Sequence, residues 1–495
     1  MERAADLRLF ELRDEGRGAH EGKDVEITGL TSDSREVRPG FLFAALDGSR
    51  ARGADFIPEA LLNGAAAILA PPGTSLGEAP PGAASLISDA NPRRRFAEMA
   101  ARFFVRQPRT IAAVTGTNGK SSTVTFIREL WRAGGSKAAS LGSLGVEGDG
   151  PASDVTLTTP DPVVLHRTLA ALAEAGVTRC ALEASSHGLD QYRLDGVRVT
   201  AAAFLNLTRD HLDYHRDLES YLAAKQRLFA DVMAPGGDAV LNGESPYSQR
   251  IAEICRARGH HILRFGGADA DIRLISRRDE NFGQRIELEL LGTAYDLFIP
   301  LPGAFQVQNM MAAAALAIAT GMSEDQVAAA LPRLAGVRGR LELAARLPGG
   351  APVYVDYAHT PDALEAALNG LRPYISGRLI LLFGCGGDRD AGKRPQMGEI
   401  AARLADMVFV SDDNPRYEDA ASIRHEIIAA CPDAIEISGR GEAIAAAIAE
   451  LRQHDLLLIA GKGHEQGQSI AERWVPFDDG EMARRAVMAH ARMPS

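Results

Sequence analysis

Asp413-Asn414-Pro415-Arg416 sets a carboxylate, an amide and a guanidinium within four residues. The stretch follows Met407-Val408-Phe409-Val410, whose β-branched and aromatic residues predict a buried strand. Pro415 has no N–H for a ladder, so the strand must hand over to a loop there. Open α/β sheets place ligands at the carboxyl ends of strands. An Asp and an Arg in such a loop suit a zwitterion: the acid holds an ammonium group, and the guanidinium grips a carboxylate in bidentate fashion. Taken alone, the same residues also describe an ordinary strand-to-helix turn with capping side chains.

Thr115-Gly116-Thr117-Asn118-Gly119-Lys120-Ser121-Ser122 carries a different chemistry. It follows the apolar run 110–114 and opens a helical run over 123–131. Glycines let backbone N–H groups approach phosphate oxygens, a helix N-terminus adds its positive end, and Lys120 adds a formal charge. The Ser121 hydroxyl is placed to meet a phosphate-bound Mg²⁺. The usual G-x-x-x-x-G-K-[ST] spacing is not met, because Val114 stands at the first glycine position. The strand–loop–helix context carries the physics; without it, Gly-Lys-Ser is an ordinary loop.

Glu183 ends the apolar strand Arg179-Cys180-Ala181-Leu182, and His211 follows a strand predicted over 201–205. The two can meet across a crevice, where a carboxylate and an imidazole, with phosphate and water oxygens, are adequate ligands for Mg²⁺. A capping acid and a helical turn His211-x-x-x-His215 explain the same residues equally well. Lys225 lies in an amphipathic helix predicted over 218–229, where a lysine is ordinarily a solvated surface charge.

The elements that must position these groups fall into three blocks, expected as domains at 1–106, 107–337 and 338–495. The first carries short strand candidates (25–27, 40–46 and 66–69) between Gly and Pro. The second alternates strands and helices as a mostly parallel sheet requires, with two antiparallel strands expected at 285–291 and 295–300. The third begins after Val337-Arg338-Gly339-Arg340 and repeats the βα pattern through strands at 353–355, 379–383, 407–410, 434–437 and 456–460. The alanine-rich run 311–319 predicts a tightly packed helix. No internal repeat is detectable.

The 495 residues fit about three domains. A net charge of −11, from 54 Lys plus Arg against 65 Asp plus Glu, argues against a nucleic-acid partner. Cys180, Cys255, Cys385 and Cys431 have no metal-type spacing and fit a reducing cytoplasm. The first residues, Met1-Glu2-Arg3-Ala4-Ala5-Asp6, lack a signal-peptide core. No apolar run approaches the roughly 20 residues that span a bilayer. A cytoplasmic monomer acting on small molecules is expected.

The loop Gly116-Thr117-Asn118-Gly119-Lys120-Ser121 resembles the ATP loop of the Mur ligases and folylpolyglutamate synthases, which form amide bonds through an acyl phosphate. Glu183-Ala184-Ser185-Ser186-His187-Gly188-Leu189, the block 206–215 and Tyr354-Val355-Asp356-Tyr357-Ala358-His359-Thr360-Pro361-Asp362 resemble further blocks of that family. The likeness runs from Thr31-Ser32-Asp33-Ser34-Arg35 to Gly461-Lys462-Gly463-His464-Glu465 and is nearest to the Mur ligases that add diaminopimelate.

The resemblance implies an α/β protein of three domains: a small N-terminal α/β domain binding UDP, a central P-loop-type, mostly parallel sheet with helices on both faces, and a C-terminal Rossmann-like domain binding the amino acid. It implies ATP as co-substrate with Mg²⁺, and transfer of meso-diaminopimelate to the D-glutamyl carboxylate of UDP-N-acetylmuramoyl-L-alanyl-D-glutamate. Lys120, Glu183, His211 and a carbamylated Lys225 (N6-carboxylysine) take catalytic roles, and Ser121, Glu183, His211 and Lys225 take metal roles. Gly116, Thr117, Asn118, Gly119, Lys120, Ser121, Ser122, Asn309, Arg340, Asp356 and His359 fall at ATP positions. Leu30, Ser32, Thr158, Thr159, Ser185, Gln191 and Arg193 fall at positions for the UDP-muramoyl-dipeptide; Leu157 departs from the Asn of some relatives. Arg389, Asp413, Asn414, Pro415, Arg416, Gly461 and Glu465 fall at diaminopimelate positions. A lysine-adding relative is expected to lack Arg416, and a folylpolyglutamate synthase to lack both the 31–35 block and the Asp-Asn-Pro-Arg loop. A nucleotide-dependent regulatory module, the alternative of another class, leaves Glu183, His211 and Arg416 without a purpose.

Overall fold

Residues 7–12, 19–48, 51–77, 84–151, 157–211 and 214–491 are described in a computed structural model of the chain. The run at 110 forms the strand Thr110–Thr115. Its residues alternate between two buried faces: Ile111 and Ala113 pack with Leu165, Leu169 and Tyr221, whereas Ala112 and Val114 pack with Phe126, Ile127 and Met310. A strand covered on both sides has no polar face, so its sequence reads as a continuous apolar run.

Around it a ten-stranded sheet runs in the order Gly145–Gly148, Ala138–Gly142, Arg179–Glu183, Thr110–Thr115, Val199–Phe204, Met233–Asn242, His261–Phe265, Ile272–Glu280, Gly283–Leu290, Thr293–Ile299. The middle strands are parallel, and both edges finish antiparallel. The chain leaves Thr110–Thr115 toward one edge, returns as Arg179–Glu183 beside it, and crosses as Val199–Phe204 to its other side. The loops after these three strands therefore open into one crevice at their carboxyl ends. One face carries the helices Lys120–Ala133 and Ala304–Ala319, packed closely because Ala312 to Ala315 are fully buried. The other face carries Pro162–Glu174 and Leu218–Arg227.

A six-stranded sheet follows: Glu342–Arg346, Pro352–Asp356, Leu456–Ala460, Leu379–Phe383, Met407–Val410, Ile435–Glu436, parallel apart from the first strand. The N-terminal sheet orders Ala19–Glu21, Ser85–Ser88, Ala67–Ala70, Phe41–Ala44, Gly29–Thr31. Its helix Pro92–Phe104 closes that core through Phe96, Met99 and Phe103.

Several sequence expectations shift. The strand at 25–27 shortens to Glu26–Ile27, which pairs with Leu7–Arg8 in a separate ladder. The strand at 434–437 contracts to Ile435–Glu436, both exposed at the sheet edge. The expected antiparallel pair gains a third member, Ile272–Glu280, whose Arg273, Arg277, Arg278, Asp279 and Glu280 hide its strand character. The helix expected at 218–229 is α-helical over Leu218–Arg227 and ends in a π-helical turn, Leu228–Val232. Among the described residues, no helix is long and apolar enough to cross a membrane. Met1 to Asp6, read for a signal peptide, lie outside the described residues, as do Leu212 and Asp213 of the 206–215 block.

Candidate active site

The phosphate loop is held by the strand beside it. Asn206 pins it twice, its Oδ1 accepting from the Asn118 amide (2.9 Å) and its Nδ2 donating to the Asn118 carbonyl (3.1 Å). The Thr117 hydroxyl accepts from the Thr208 amide at 3.0 Å. Gly119 has φ 89°, and a Cβ there would meet Asn309 Oδ1 at 2.2 Å, so only glycine fits. The helix begins at Lys120, three residues earlier than its apolar run indicates. Lys120 Nζ donates to the Gly116 (2.9 Å) and Thr117 (2.8 Å) carbonyls.

Lys120 is the loop's own cation, and two more basic side chains reach it from other elements. Arg340 reaches across from the C-terminal part and donates to Ser121 Oγ at 3.0 Å, with its guanidinium 4.4 Å from the Tyr357 ring centre. Lys225 is only 1% exposed, and its ammonium donates to the same Gly116 carbonyl at 2.8 Å, with the Tyr221 ring centre 4.3 Å away. The expectation of a solvated lysine fails because the helix turns this face toward the loop. Burial, reinforced by the charge of Lys120, holds the Lys225 amine well below the usual lysine range.

These groups line one cavity of about 130 Å³ with Glu183, Asp210, His211, Ser185 and His359. Glu183 is buried, its Oε1 accepting from the Ser143 amide at 2.9 Å, and Gly142 is needed because a Cβ would lie 2.2 Å from that oxygen. His211 has a left-handed backbone, φ 55°, and its amide donates to Asp210 Oδ1 at 2.8 Å, so it is a loop residue. Such a conformation is uncommon for a non-glycine residue and is one form of strain found at functional sites. Burial pushes the His211 imidazole down to about 4, Lys120, His359 and Lys225 adding to the effect against Asp210. Burial alone would raise Asp210, but His359, His211 and Lys393 outweigh it and its carboxyl lies below the usual range.

Among the described residues, no three His, Cys, Asp or Glu side chains come together as a metal cage. A neutral imidazole, the Glu183 carboxylate and the Ser121 hydroxyl facing one cavity do fit Mg²⁺, which keeps waters and substrate phosphates and takes only one or two protein carboxylates.

The remaining nucleotide-side residues gather from the C-terminal sheet. Asp356, raised by burial to about 6, accepts from the Leu341 (2.6 Å) and Ala358 (2.7 Å) amides. His359, lowered by burial to about 4, shares its Nδ1 with the Tyr357 carbonyl at 2.8 Å. Asn309 stands behind Gly119 and outside the cavity wall.

Thr158, Thr159, Ser185, Gln191 and Arg193 form a connected shelf beside Glu183. Thr159 Oγ1 donates to the Glu183 carbonyl (2.8 Å) and accepts from the Ser185 amide (3.0 Å). Arg193 donates to the Thr159 carbonyl (2.7 Å) and to Gln191 Oε1 (2.7 Å). Ser122 is buried in the first helical turn. Leu30 is a core residue and Ser32 is exposed; neither lines these cavities, and Leu30 has only its backbone to offer a ligand.

A second cleft, about 680 Å³, shares Ser143, Thr158 and Tyr357 with the first and extends to Asn414, Arg416 and Glu465. Arg416 has φ 52° and donates through Nη1 to the Gly387 carbonyl at 2.7 Å. It makes no ion pair with Asp413 or Glu418: Glu418 pairs with Arg394 at 2.8 Å, and Lys462 lies 3.9 Å from Asp413. Asp413, Pro415 and Gly461 sit behind the wall, and a Cβ at Gly461 would meet Asp413 Oδ2 at 2.6 Å. Arg389 is exposed beyond the rim, near enough for its charge to act on Arg416.

Four residues lacked a role in the sequence reading. Ser143 joins the two cavities, Asp210 faces the cations, and Tyr357 stacks under Arg340. Lys462, fully buried, donates to Glu465 Oε2 (2.9 Å) and Asn414 Oδ1 (3.2 Å). Lys462 and Asp210 stand inside recognised motif blocks; nothing local marks Ser143.

Fold and site together define an enzyme that activates one substrate with the phosphoryl group of a nucleotide and passes it to a second held across the crevice. Three family descriptions match successive parts of the chain: Mur ligase family, catalytic domain (residues 26–104), Mur ligase middle domain (114–317), and Mur ligase, glutamate ligase domain (339–463). The chain belongs to the Mur ligase family. It is 50% identical over 470 residues to UDP-N-acetylmuramoyl-L-alanyl-D-glutamate–2,6-diaminopimelate ligase of Bradyrhizobium diazoefficiens, covering 94% of this chain and 95% of that one. The ligase of the same name from Chelativorans sp. is 49% identical over 464 residues, covering 94% and 95%. A solved structure of a ligase with that name superposes with a TM-score of 0.68 at 34% identity, covering 94% of this chain and 96% of the other. Folylpolyglutamate synthase of Mycobacterium tuberculosis complexed with ADP shares the fold (TM-score 0.63, 19% identity), covering 81% of this chain and 95% of its own.

Proposed function

We propose that this protein is an ATP-dependent ligase that joins meso-2,6-diaminopimelate to the D-glutamyl carboxylate of UDP-N-acetylmuramoyl-L-alanyl-D-glutamate in peptidoglycan precursor synthesis. The observation that carries it is Arg416, facing a cleft continuous with the phosphate-loop cavity and unpaired with any carboxylate among the described residues. Residues 1–106, 107–337 and 338–495 serve as domains for the UDP end, for ATP and for the amino acid. The reading includes a monomer acting in the cytoplasm on small-molecule substrates.

In the first step the Gly116–Ser122 loop, Lys120 and Arg340 hold the ATP phosphates while the shelf of Thr158, Thr159, Ser185, Gln191 and Arg193 presents the D-glutamyl carboxylate. A carboxylate oxygen attacks the γ-phosphorus, the bond to the β-phosphate oxygen breaks, and ADP leaves with that electron pair. Mg²⁺, when bound near Ser121, Glu183, His211 and a carbamylated Lys225, supplies charge neutralisation between the two anions. Next the amine attacks the acyl carbon, an N–H proton is lost, and inorganic phosphate departs. Lys120 and Arg340 counter the charge that develops on the transferring group. The meeting of Arg209 with Asp390 (3.2 Å) across the crevice supports a closed arrangement, which keeps water from the acyl phosphate.

Diaminopimelate differs from lysine by one carboxylate; of the two guanidinium groups lining the cleft, Arg338 pairs with Asp478 at 2.6 Å, which leaves Arg416 for it. Leaving a desolvated carboxylate without a partner costs several kcal/mol, equivalent to discrimination of about 10³-fold. Arg416→Ala is therefore expected to lower kcat/KM for meso-diaminopimelate by about that factor, with the KM for ATP unchanged. L-Lysine, a poor substrate of the parent, is expected to change little. Steady-state kinetics with both amino acids decide it. An equal fall for both makes Arg416 a scaffold residue, and a parent that prefers lysine overturns the substrate assignment.

A further inference from the structure

The strands Gly467–Ile470 and Arg473–Pro476 form a two-stranded antiparallel hairpin outside the six-stranded sheet. Its first strand and turn are joined to the Asp413–Arg416 loop. Gln468 Nε2 donates to the Asp413 carbonyl (2.8 Å), and the Ser469 amide donates to Asn414 Oδ1 (2.9 Å). The Arg416 amide donates to the Ser469 carbonyl (3.0 Å), and the Ala471 amide donates to the Arg416 carbonyl (2.7 Å). Arg416 is thus held in its left-handed conformation by backbone pairing to this hairpin. Across from Ser469 stands Trp474, which is 63% exposed yet lines the 680 Å³ cleft. Its indole seats on Gly467, where a Cβ would come within 2.2 Å of Cε2, so the ring is aimed by a residue with no side chain. Leu144 and Val146 line the same cleft from the central sheet, while Asn414, Arg416 and Glu465 make its polar end.

A diamino diacid has the matching division: charged termini that need polar partners, and a methylene chain that needs an apolar wall. We infer that the Gly467–Pro476 hairpin is the outer wall of the amino-acid site, with Trp474 covering the methylene chain of the incoming amino acid while the same hairpin fixes Arg416. The inference rests on the function proposed above and adds to it a residue that selects for chain rather than charge. A large ring half in solvent before binding is covered by the ligand, and aromatic contacts of this kind are worth a few-fold to about tenfold in affinity.

The chain has two tryptophans, and the other, Trp131, is fully buried in the central core, so emission changes on binding report on Trp474. The full-length enzyme is saturated with UDP-muramoyl-dipeptide and a non-hydrolysable ATP analogue and titrated with meso-diaminopimelate. A saturable change in emission is expected, lost in Trp474→Ala. In turnover, Trp474→Ala is expected to raise the KM for meso-diaminopimelate about fivefold to tenfold with kcat, and the KM for ATP, within about twofold; Trp474→Phe restores most of the loss. Unchanged KM in Trp474→Ala, or flat emission over concentrations that saturate parental turnover, overturns the inference and leaves the proposed function standing. An enzyme that ligates a different amino acid, with the KM for that one raised by Trp474→Ala, overturns the diaminopimelate assignment and supports the wall.

Discussion

Lys120→Ala is expected to lower product formation by about 10³-fold at saturating ATP while the thermal midpoint stays within a few degrees of the parent. Its ammonium touches only the Gly116 and Thr117 carbonyls of its own loop, and the helix it begins is anchored by Phe126, Ile127, Leu130 and Trp131, all fully buried. The fold therefore loses little. The reaction loses a charge aimed at a group that becomes more anionic in the transition state, where removing one preorganised donor typically costs about 10²–10³-fold. Arg340 remains close by, so the variant is expected to keep measurable nucleotide binding even as turnover collapses. Turnover assayed beside a melting curve checks both halves. Near-parental turnover would refute the role, and a collapse of the midpoint would show that Lys120 is structural.

Lys225→Ala is expected to be nearly as inactive, for a different reason. Burial, with another ammonium nearby, pushes this amine well below the usual lysine range and so favours the neutral form, and a neutral amine adds CO₂: the N–C bond forms and a proton passes to water. The product is an anion in a place where a free ammonium would repel Mg²⁺. Turnover is expected to fall about 10²-fold or more in the variant, and to recover in part with formate or acetate, which can occupy the vacated space as anions. The intact parent is expected to carry the mass of one CO₂ on Lys225. An unmodified amine in the active, metal-loaded enzyme contradicts the carbamate, and rescue by neutral amides as well as by carboxylates would mean that the cavity only needs filling.

The legible part of this site was the local part. Gly116, Gly119 and Lys120 declare a phosphate loop because its strand, turn and helix start are contiguous, and Asp413 to Arg416 declare a ligand loop because Pro415 ends a strand. Family likeness drew Glu183, His211 and Arg340 to one site, and the strand order that makes them meet was not readable from any window of sequence. Lys225 shows the limit of amphipathic reading: the period of 218–229 gives a helix with two faces, but only the packed fold says that Lys225 looks inward. Ser143 was invisible because it sits in a hairpin turn with no motif, and it matters only because Gly142 lets Glu183 approach. Leu30 packs its side chain into the core, so only its backbone could meet a ligand, and sequence does not separate those two uses of a leucine. The strand Ile272–Glu280 was missed because Arg273, Arg277, Arg278, Asp279 and Glu280 give it the composition of a charged loop, although it pairs inside the sheet between His261–Phe265 and Gly283–Leu290.

Everything proposed here turns on one oxygen moving from the D-glutamyl carboxylate to phosphate. UDP-muramoyl-dipeptide labelled with ¹⁸O in that carboxylate, incubated with ATP and meso-diaminopimelate, is expected to release inorganic phosphate carrying one labelled oxygen for each amide formed, with no release when either co-substrate is withheld. Unlabelled phosphate accompanying amide formation would contradict an acyl phosphate and with it the ligation chemistry assigned to this site.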